Sequence, residues 1–336
     1  MMKNETFKNH HDHCGTDHAA LARWVYSLNE LMKNILSDLK DEPDEEDFDR
    51  ASFDQSFEQD LHGLLMQCPA DPFALNVDSR SINPYLSAFI NSLGEEVVDQ
   101  DVDHFQLVNP SLLLDSVRHH LDSSEMGKAK INLKRNEKET SESLFQYILG
   151  LKAVYSKLMI IRLDLFTQDC LGSLRDWERL RKYVSDRYMG SYVGYAVKFE
   201  YGWQRGVHMH TVLFFDGSVV RQDVTIAKAI GEHWKDSVTA GGGTYGNCNT
   251  LEHRKNMRYP AVGTFHQFDE LNLKGLRHIA NYLTQQDLAV RFAVPGLVHT
   301  FRRGNINKKK RSLMEKRAKR HVSSLVREAK MMVPKP

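Results

Sequence analysis

Residues 191–217 read SYVGYAVKFEYGWQRGVHMHTVLFFDG, and the reading of this stretch decides the fold. Val193–Tyr201 is rich in β-branched and aromatic residues. Gly202–Gly206 carries two glycines, and Val207–Phe215 ends at the turn signal Asp216-Gly217. The pattern predicts two strands joined by a polar turn. On the second strand His208 and His210 stand two apart, so both imidazoles project from one face, about 7 Å apart at Cα. Two neutral imidazoles on one rigid face can grip a divalent metal. Glu200, near the end of the first strand, offers a hard oxygen as a third ligand; a carboxylate at a strand end also serves simply to face a turn. An isolated His-x-His recurs by chance. Here the pair lies mid-strand, has a carboxylate-bearing neighbour and leads into the apolar Val212–Phe215.

Working outward, the net charge of +1 over 336 residues conceals an asymmetry. Residues 1–150 hold 28 acidic and 13 basic side chains, and residues 151–336 hold 16 acidic and 32 basic. Such a split fits a basic part that meets a polyanion. An acidic half docking on a basic half would show the same split. Hydrophobic residues make up 41% of the chain, enough for a core, and the length allows two domains or one with an appendage. Met1–Asn9 lacks the apolar core of a signal peptide, and no run reaches the ~18 apolar residues of a membrane span. Cys14, Cys68, Cys170 and Cys248 are scattered, with no C-x-x-C pair, which predicts thiols in a reducing cytoplasm.

The first 150 residues read as an acidic, mostly helical region whose role the sequence does not reveal. Helices are expected at Leu21–Leu39, Phe53–Gln67, Asn83–Leu93, Pro110–Leu121 and Ser141–Tyr155, with the basic Met126–Lys138 as a separator. His10–Cys14 reads as a polar terminus rather than a metal site. From Lys157 the texture changes. Leu158–Phe166 is an apolar strand interrupted by Arg162 and Asp164, suited to a central position with functional ends. Leu174–Tyr188 and Gln222–Val238 are expected helices, the latter turning Val224, Ala227, Ile230 and Trp234 inward. Gly241–Asn249 reads as a glycine-rich loop without the Gly-Lys-Ser/Thr ending of a P-loop. Val262–Phe268 is strand-like. Asn272–Phe292 is expected to be one helix with His278 and Tyr282 on a shared face. Phe301–Lys335 is a basic tail, with a helix expected over 310–330 and 13 basic against 2 acidic residues from Arg302 onward.

Several segments in order resemble the inovirus-type gene II replication proteins and the YagK/YfjJ C-terminal domain family, which is similar to HUH endonucleases. They are IIRLDL (160–165), KFEYG with HMHTVLFFDG, IGEHW (230–234), GTYGNCN, and LKGLRHIANYLTQQD (273–287). The likeness covers about residues 145–305. A third alternating histidine, as in histidine-triad hydrolases, is absent because position 212 is Val. The resemblance implies an α+β fold, an antiparallel sheet flanked by helices, with an HUH-like domain over residues 151–305 and a tail over 306–336. It implies His208, His210 and Glu200 as ligands of Mn²⁺ or Mg²⁺, and Tyr282 as the nucleophile of a rolling-circle initiator. The partners implied are single-stranded or locally melted DNA at a replication origin and a host helicase or polymerase, with no membrane.

The family commonly has lysine three residues after the tyrosine, where this chain has Gln285. Arg277 or Arg291 is expected to take its place at the phosphate. Arg302, Arg303, Lys308, Lys309, Lys310 and Arg311 are expected to touch DNA phosphates. The rival readings are a non-catalytic DNA-binding relative, which Gln285 favours, and a metal phosphodiesterase that uses water.

Overall fold

The computed structural model describes residues 16–39, 50–68, 83–96, 108–202, 206–287, 289–294 and 296–306. Lys308, Lys309, Lys310 and Arg311, the expected tail helix and the His10–Cys14 cluster lie outside the described residues. Five helices come first: α1 (Thr16–Asp38), α2 (Arg50–Met66), α3 (Pro84–Glu96), α4 (Pro110–Asp122) and α5 (Ser124–Val154). Then follow β1 (Leu158–Thr167), α6 (Ser173–Arg187), β2 (Tyr192–Gly202), β3 (Gly206–Asp216) and α7 (Asp223–His233). A π-helical turn, Trp234–Val238, extends α7. The remainder is β4 (Gly243–Asn247), α8 (Leu251–Lys255), β5 (Gly263–Phe265), α9 (Glu270–Thr284), α10 (Val290–Ala293) and β6 (Phe301–Arg303). The protein is therefore α+β, with a helical N-terminal region and a helix-flanked sheet. Among the described residues no helix is long and apolar enough to cross a membrane.

All six strands pair antiparallel, in the order β4-β1-β3-β2-β6, with β5 also on β1. The hairpin read from residues 191–217 forms, and the Leu158–Phe166 run is the strand on its other side. Alternation divides the sheet's side chains between two layers. Met159, Ile161, Leu163, Val197, Phe199, Met209 and Phe215 face one core. That core continues through Trp177 of α6 and Trp234 into Trp24, Leu28 and Phe89 of the N-terminal helices. On the other face Ile160, Ala196, Val212 and Phe214 pack against Leu144, Tyr147 and Ile148 of α5 and against Leu276, Ile279 and Leu283 of α9.

Several expectations need correction. Met126–Lys138 does not separate helices but forms part of a continuous α5 of 31 residues. Its Lys, Arg, Glu and Ala residues are good helix formers, and a helix crossing solvent needs no apolar stripe. A domain boundary at residue 150 falls inside this helix, whose C-terminal half packs on the sheet. The glycine-rich segment contains strand β4 rather than only loop, and there Gly243 lets the Phe166 carbonyl of β1 approach. Asn272–Phe292 is two helices. α9 starts at a reciprocal Asp269–Asn272 capping box and ends at Gln285, whose backbone is extended. Asp287 then accepts from the Ala289 and Val290 amides, which starts α10. Val224 is 40% exposed, while Ala227, Ile230 and Trp234 are buried as expected.

Gly194 of β2 and Gly304 after β6 leave the room that the Tyr147 hydroxyl of α5 fills. A methyl at Gly194 would collide with that hydroxyl. Gly194→Ala is expected to cost about 1–3 kcal/mol of stability. Placing it on a Tyr147→Phe background should recover part of the loss, read by denaturant unfolding. The same penalty in both backgrounds would contradict this packing.

Candidate functional site

β3 lies between β1 and β2, so its register sets the site. His210 stands opposite Asp164 on β1 and Lys198 on β2, and His208 opposite Phe166 and Glu200. Directly paired side chains share a face. One half of the sheet's second face is therefore the apolar patch under α5 and α9, and the other half is polar. α9 crosses between them and delivers Tyr282.

Glu200 is the hub. Its Oε2 lies 2.9 Å from His208 Nε2 and 2.8 Å from His210 Nε2, and its Oε1 pairs with the Lys198 ammonium. Burial alone would raise its pKa, but hydrogen bonds from the two imidazoles and the charge of Lys198 hold the carboxyl well below its usual range. His210 Nδ1 lies 2.8 Å from Asp164 Oδ1. Burial would lower its pKa, and the bonds to Asp164 and Glu200 outweigh that and raise it. Asp164 moves the opposite way: burial pushes it up, and His210 and Arg162 bring it down.

The Tyr282 hydroxyl is 2.7 Å from His210 Nε2 and 3.5 Å from Glu200 Oε2. Burial, then the negative charge of Glu200, pushes the phenol above its usual pKa. Lys198 Nζ donates to the Tyr282 carbonyl at 3.3 Å, a favourable place for a cation at the end of α9.

The donor set suits a metal ion. The carboxylate of Glu200 and one nitrogen from each of His208 and His210 lie within 4.8 Å of one another. With Asp164 holding a proton on His210 Nδ1, the Nε2 lone pair points at Glu200 Oε2, and two acceptors 2.8 Å apart need a proton or a cation between them. A carboxylate behind a ligating imidazole is also the usual means of fixing its tautomer. His208 has no such support, since its Nδ1 is buried without a hydrogen-bond partner among the described residues.

Of the residues expected from sequence, the structure brings together His208, His210, Glu200 and Tyr282. His278 is exposed and joins no part of the cluster. Arg277 is 2.6 Å from Glu142 and lies over the Phe145 ring, while Arg291 donates to the Val298 carbonyl. Neither replaces a lysine at position 285. Arg302 faces Glu178, and Arg303 donates to Ser143 and the Gly304 carbonyl. Sequence reasoning gave no site role to Asp164, Lys198 and Arg162. Their signal was the charged residues alternating within IIRLDL and VKFE, which a half-buried strand face tolerates only when they are paired. No family model, no curated protein and no solved structure matches the chain. What defines it is an antiparallel sheet with a two-histidine, one-carboxylate candidate metal centre beside a tyrosine.

With Mn²⁺ as a probe in calorimetric titration, His208→Ala and His210→Ala should each abolish detectable binding. His208→Ala should leave the melting temperature within a few degrees, whereas His210→Ala, which strips a buried partner from Glu200 and Asp164, should lower it. Asp164→Asn should weaken binding about 10–100-fold. Because the ion must displace a proton from His210, whose pKa, despite burial, its bonds to Asp164 and Glu200 raise above the ordinary value, affinity should fall as the pH is lowered and that imidazole takes up its proton. Unchanged binding in the double histidine variant would remove the centre.

Proposed function

We propose that the chain is a metal-dependent DNA nickase that uses Tyr282 as nucleophile and initiates rolling-circle replication of a phage-like or mobile element. The observation that carries this reading is the Tyr282 hydroxyl 2.7 Å from His210 Nε2, against the three donors of the candidate metal centre. A core tyrosine needs only some hydrogen-bond partner for its hydroxyl; here the partners are His210 and Glu200 of the candidate centre itself. The resemblance of the motifs to gene II replication proteins supports the choice of DNA as substrate.

In this reading Tyr282 Oη attacks phosphorus and its proton leaves to solvent. The bond to the 3′ oxygen breaks, and that oxygen takes up a proton as a free hydroxyl. The products are a 5′-phosphotyrosine and a primer end, so the bond energy is kept for rejoining. When bound, a divalent cation supplies neutralisation of a non-bridging phosphate oxygen. Two imidazoles suit Mn²⁺, whereas Mg²⁺ prefers oxygen ligands. Lys198 holds Glu200 and the end of α9 in place, and Asp164 orients His210.

The test is incubation with single-stranded DNA and Mn²⁺, followed by a denaturing gel. A covalent adduct is expected. Tyr282→Phe keeps the ring, should eliminate the adduct, and should cost only about 1 kcal/mol for the lost hydrogen bond. Cleavage without an adduct would point to a water-using phosphodiesterase, and no cleavage to a DNA-binding relative.

The basic tail is proposed to add sequence-independent phosphate contacts. Ile306 packs against the second core, so the truncation is placed after it, with the melting temperature checking the fold. The truncation should weaken DNA binding and flatten the log-affinity against log-salt slope by ~0.7 per lost contact with a single strand. An unchanged slope would exclude the tail from the DNA interface.

A further inference from the structure

A phosphodiester attacked by Tyr282 needs a cationic partner, and Gln285, Arg277 and Arg291 do not provide one at this site. Two other cations flank the Tyr282 ring, one from each neighbour of β3. The Arg162 guanidinium carbon is 5.4 Å from the ring centroid, and Lys198 Nζ is 4.9 Å from it. Lys198 is already committed. It pairs with Glu200, donates to the Tyr282 carbonyl, and is 3% exposed.

Arg162 is different. Its Nε meets Asp164 Oδ1 at 3.3 Å, and that oxygen is shared with His210 Nδ1. Neither terminal guanidinium nitrogen has a hydrogen-bond partner among the described residues. The side chain is 18% exposed, so these donors are largely withdrawn from water yet still reachable. A guanidinium in that position costs free energy unless an acceptor meets it.

The backbone beneath it is fixed. The Arg162 N–H donates to Asn249 Oδ1 at 2.9 Å, and its carbonyl accepts from the Cys248 amide at 3.1 Å. Asn249 is itself fully buried and anchored to the Ile160 carbonyl and Asp223. A rigid strand thus presents two unclaimed terminal nitrogens in the fork geometry that matches two phosphate oxygens.

We propose that Arg162 is the phosphate-binding residue of this site, its terminal nitrogens holding backbone oxygens of single-stranded DNA beside Tyr282. The assignment rests on the nickase reading for the identity of the phosphate. It gives the role of the missing lysine to a residue from β1 rather than from the tyrosine's own helix.

The experiment measures binding of a short single-stranded oligonucleotide by fluorescence anisotropy, with the full chain carrying Tyr282→Phe, in Mn²⁺, across a salt series. Arg162→Gln should weaken binding about tenfold or more and reduce the log–log salt slope by about 0.7. Arg162→Lys, which keeps the charge but not the fork, should restore the slope while leaving affinity below the parent. Lys182→Gln, on α6 across the sheet, serves as the control for loss of one exposed charge. Melting temperatures show whether each variant folds; if Arg162→Gln does not, Arg162→Lys carries the test through its affinity alone. Parent affinity and slope in Arg162→Gln, or parent affinity in Arg162→Lys, would overturn the assignment. Adduct formation by the chain with Tyr282 intact, scored separately, reports on the nickase reading. An adduct with no Arg162 effect rejects this inference and keeps that reading, whereas an Arg162 effect without an adduct keeps the phosphate site and rejects the nickase.

Discussion

Everything at the site depends on the Glu200 carboxylate having enough positive partners. It is largely buried, and a bare carboxylate there would be costly or would take up a proton. Two imidazoles and one ammonium prevent that. Both ring nitrogens of His210 face carboxylate oxygens at 2.8 Å, so one imidazole proton serves only one of them and the other gap must hold a second proton or a cation. These two fillings exclude each other.

The fold reaches this arrangement by dividing one sheet face. Ile160, Val212, Ala196 and Phe214 give α5 and α9 an apolar floor, and the next residues along the same strands, on the same face, are Arg162, Asp164, Lys198, Glu200 and the two histidines. Among the described residues no loop contributes to the candidate donor set. Paired neighbours on adjacent strands have fixed spacing, so the donor set is as rigid as the sheet. The opposite face, continuous with the N-terminal helices through Trp177, Trp234 and Trp24, supplies the packing that supports the three strands from behind. The Tyr201 hydroxyl reaches the Ala19 carbonyl of α1, so the N-terminal helices brace the residue next to Glu200.

Alternation made the hairpin and β1 legible, because period-two patterning of Val, Phe and Ile has few other interpretations. The shared face of His208 and His210 followed from it directly. Legibility failed where the local signal pointed one way and tertiary context the other. Gly243 and Gly246 suggested a loop, yet pairing with β1 needs the close approach that glycine permits. Residues 285–289 contain no glycine or proline, so the break after Thr284 left no punctuation; it depends on Asp287, whose carboxylate also accepts from the Tyr201 amide far away in sequence. Arg277 looked well placed by its nearness to Tyr282, but five residues along a helix turn a side chain by about 140°. It faces Glu142 instead. Arg162 and Lys198 are distant in sequence from Tyr282 and adjacent to it only because both pair with the strand between them.

The same register sets the Tyr282 hydroxyl against a negative charge. Burial and the charge of Glu200 both oppose loss of the phenolic proton, so at rest Tyr282 is a hydrogen-bonded alcohol and a poor nucleophile. Under the nickase reading, a cation on the three donors would reverse the sign of the charge that the hydroxyl meets, and a phosphate drawn to Arg162 would then enter beside an activated oxygen. Neither event alone suffices. Without the cation the phosphate's negative charge would add to that of Glu200 and raise the phenol further; without the phosphate a deprotonated tyrosine has nothing to attack. Under the same reading, a tyrosine set against Glu200, rather than beside a separate base, would depend for its reactivity on both ligands being present.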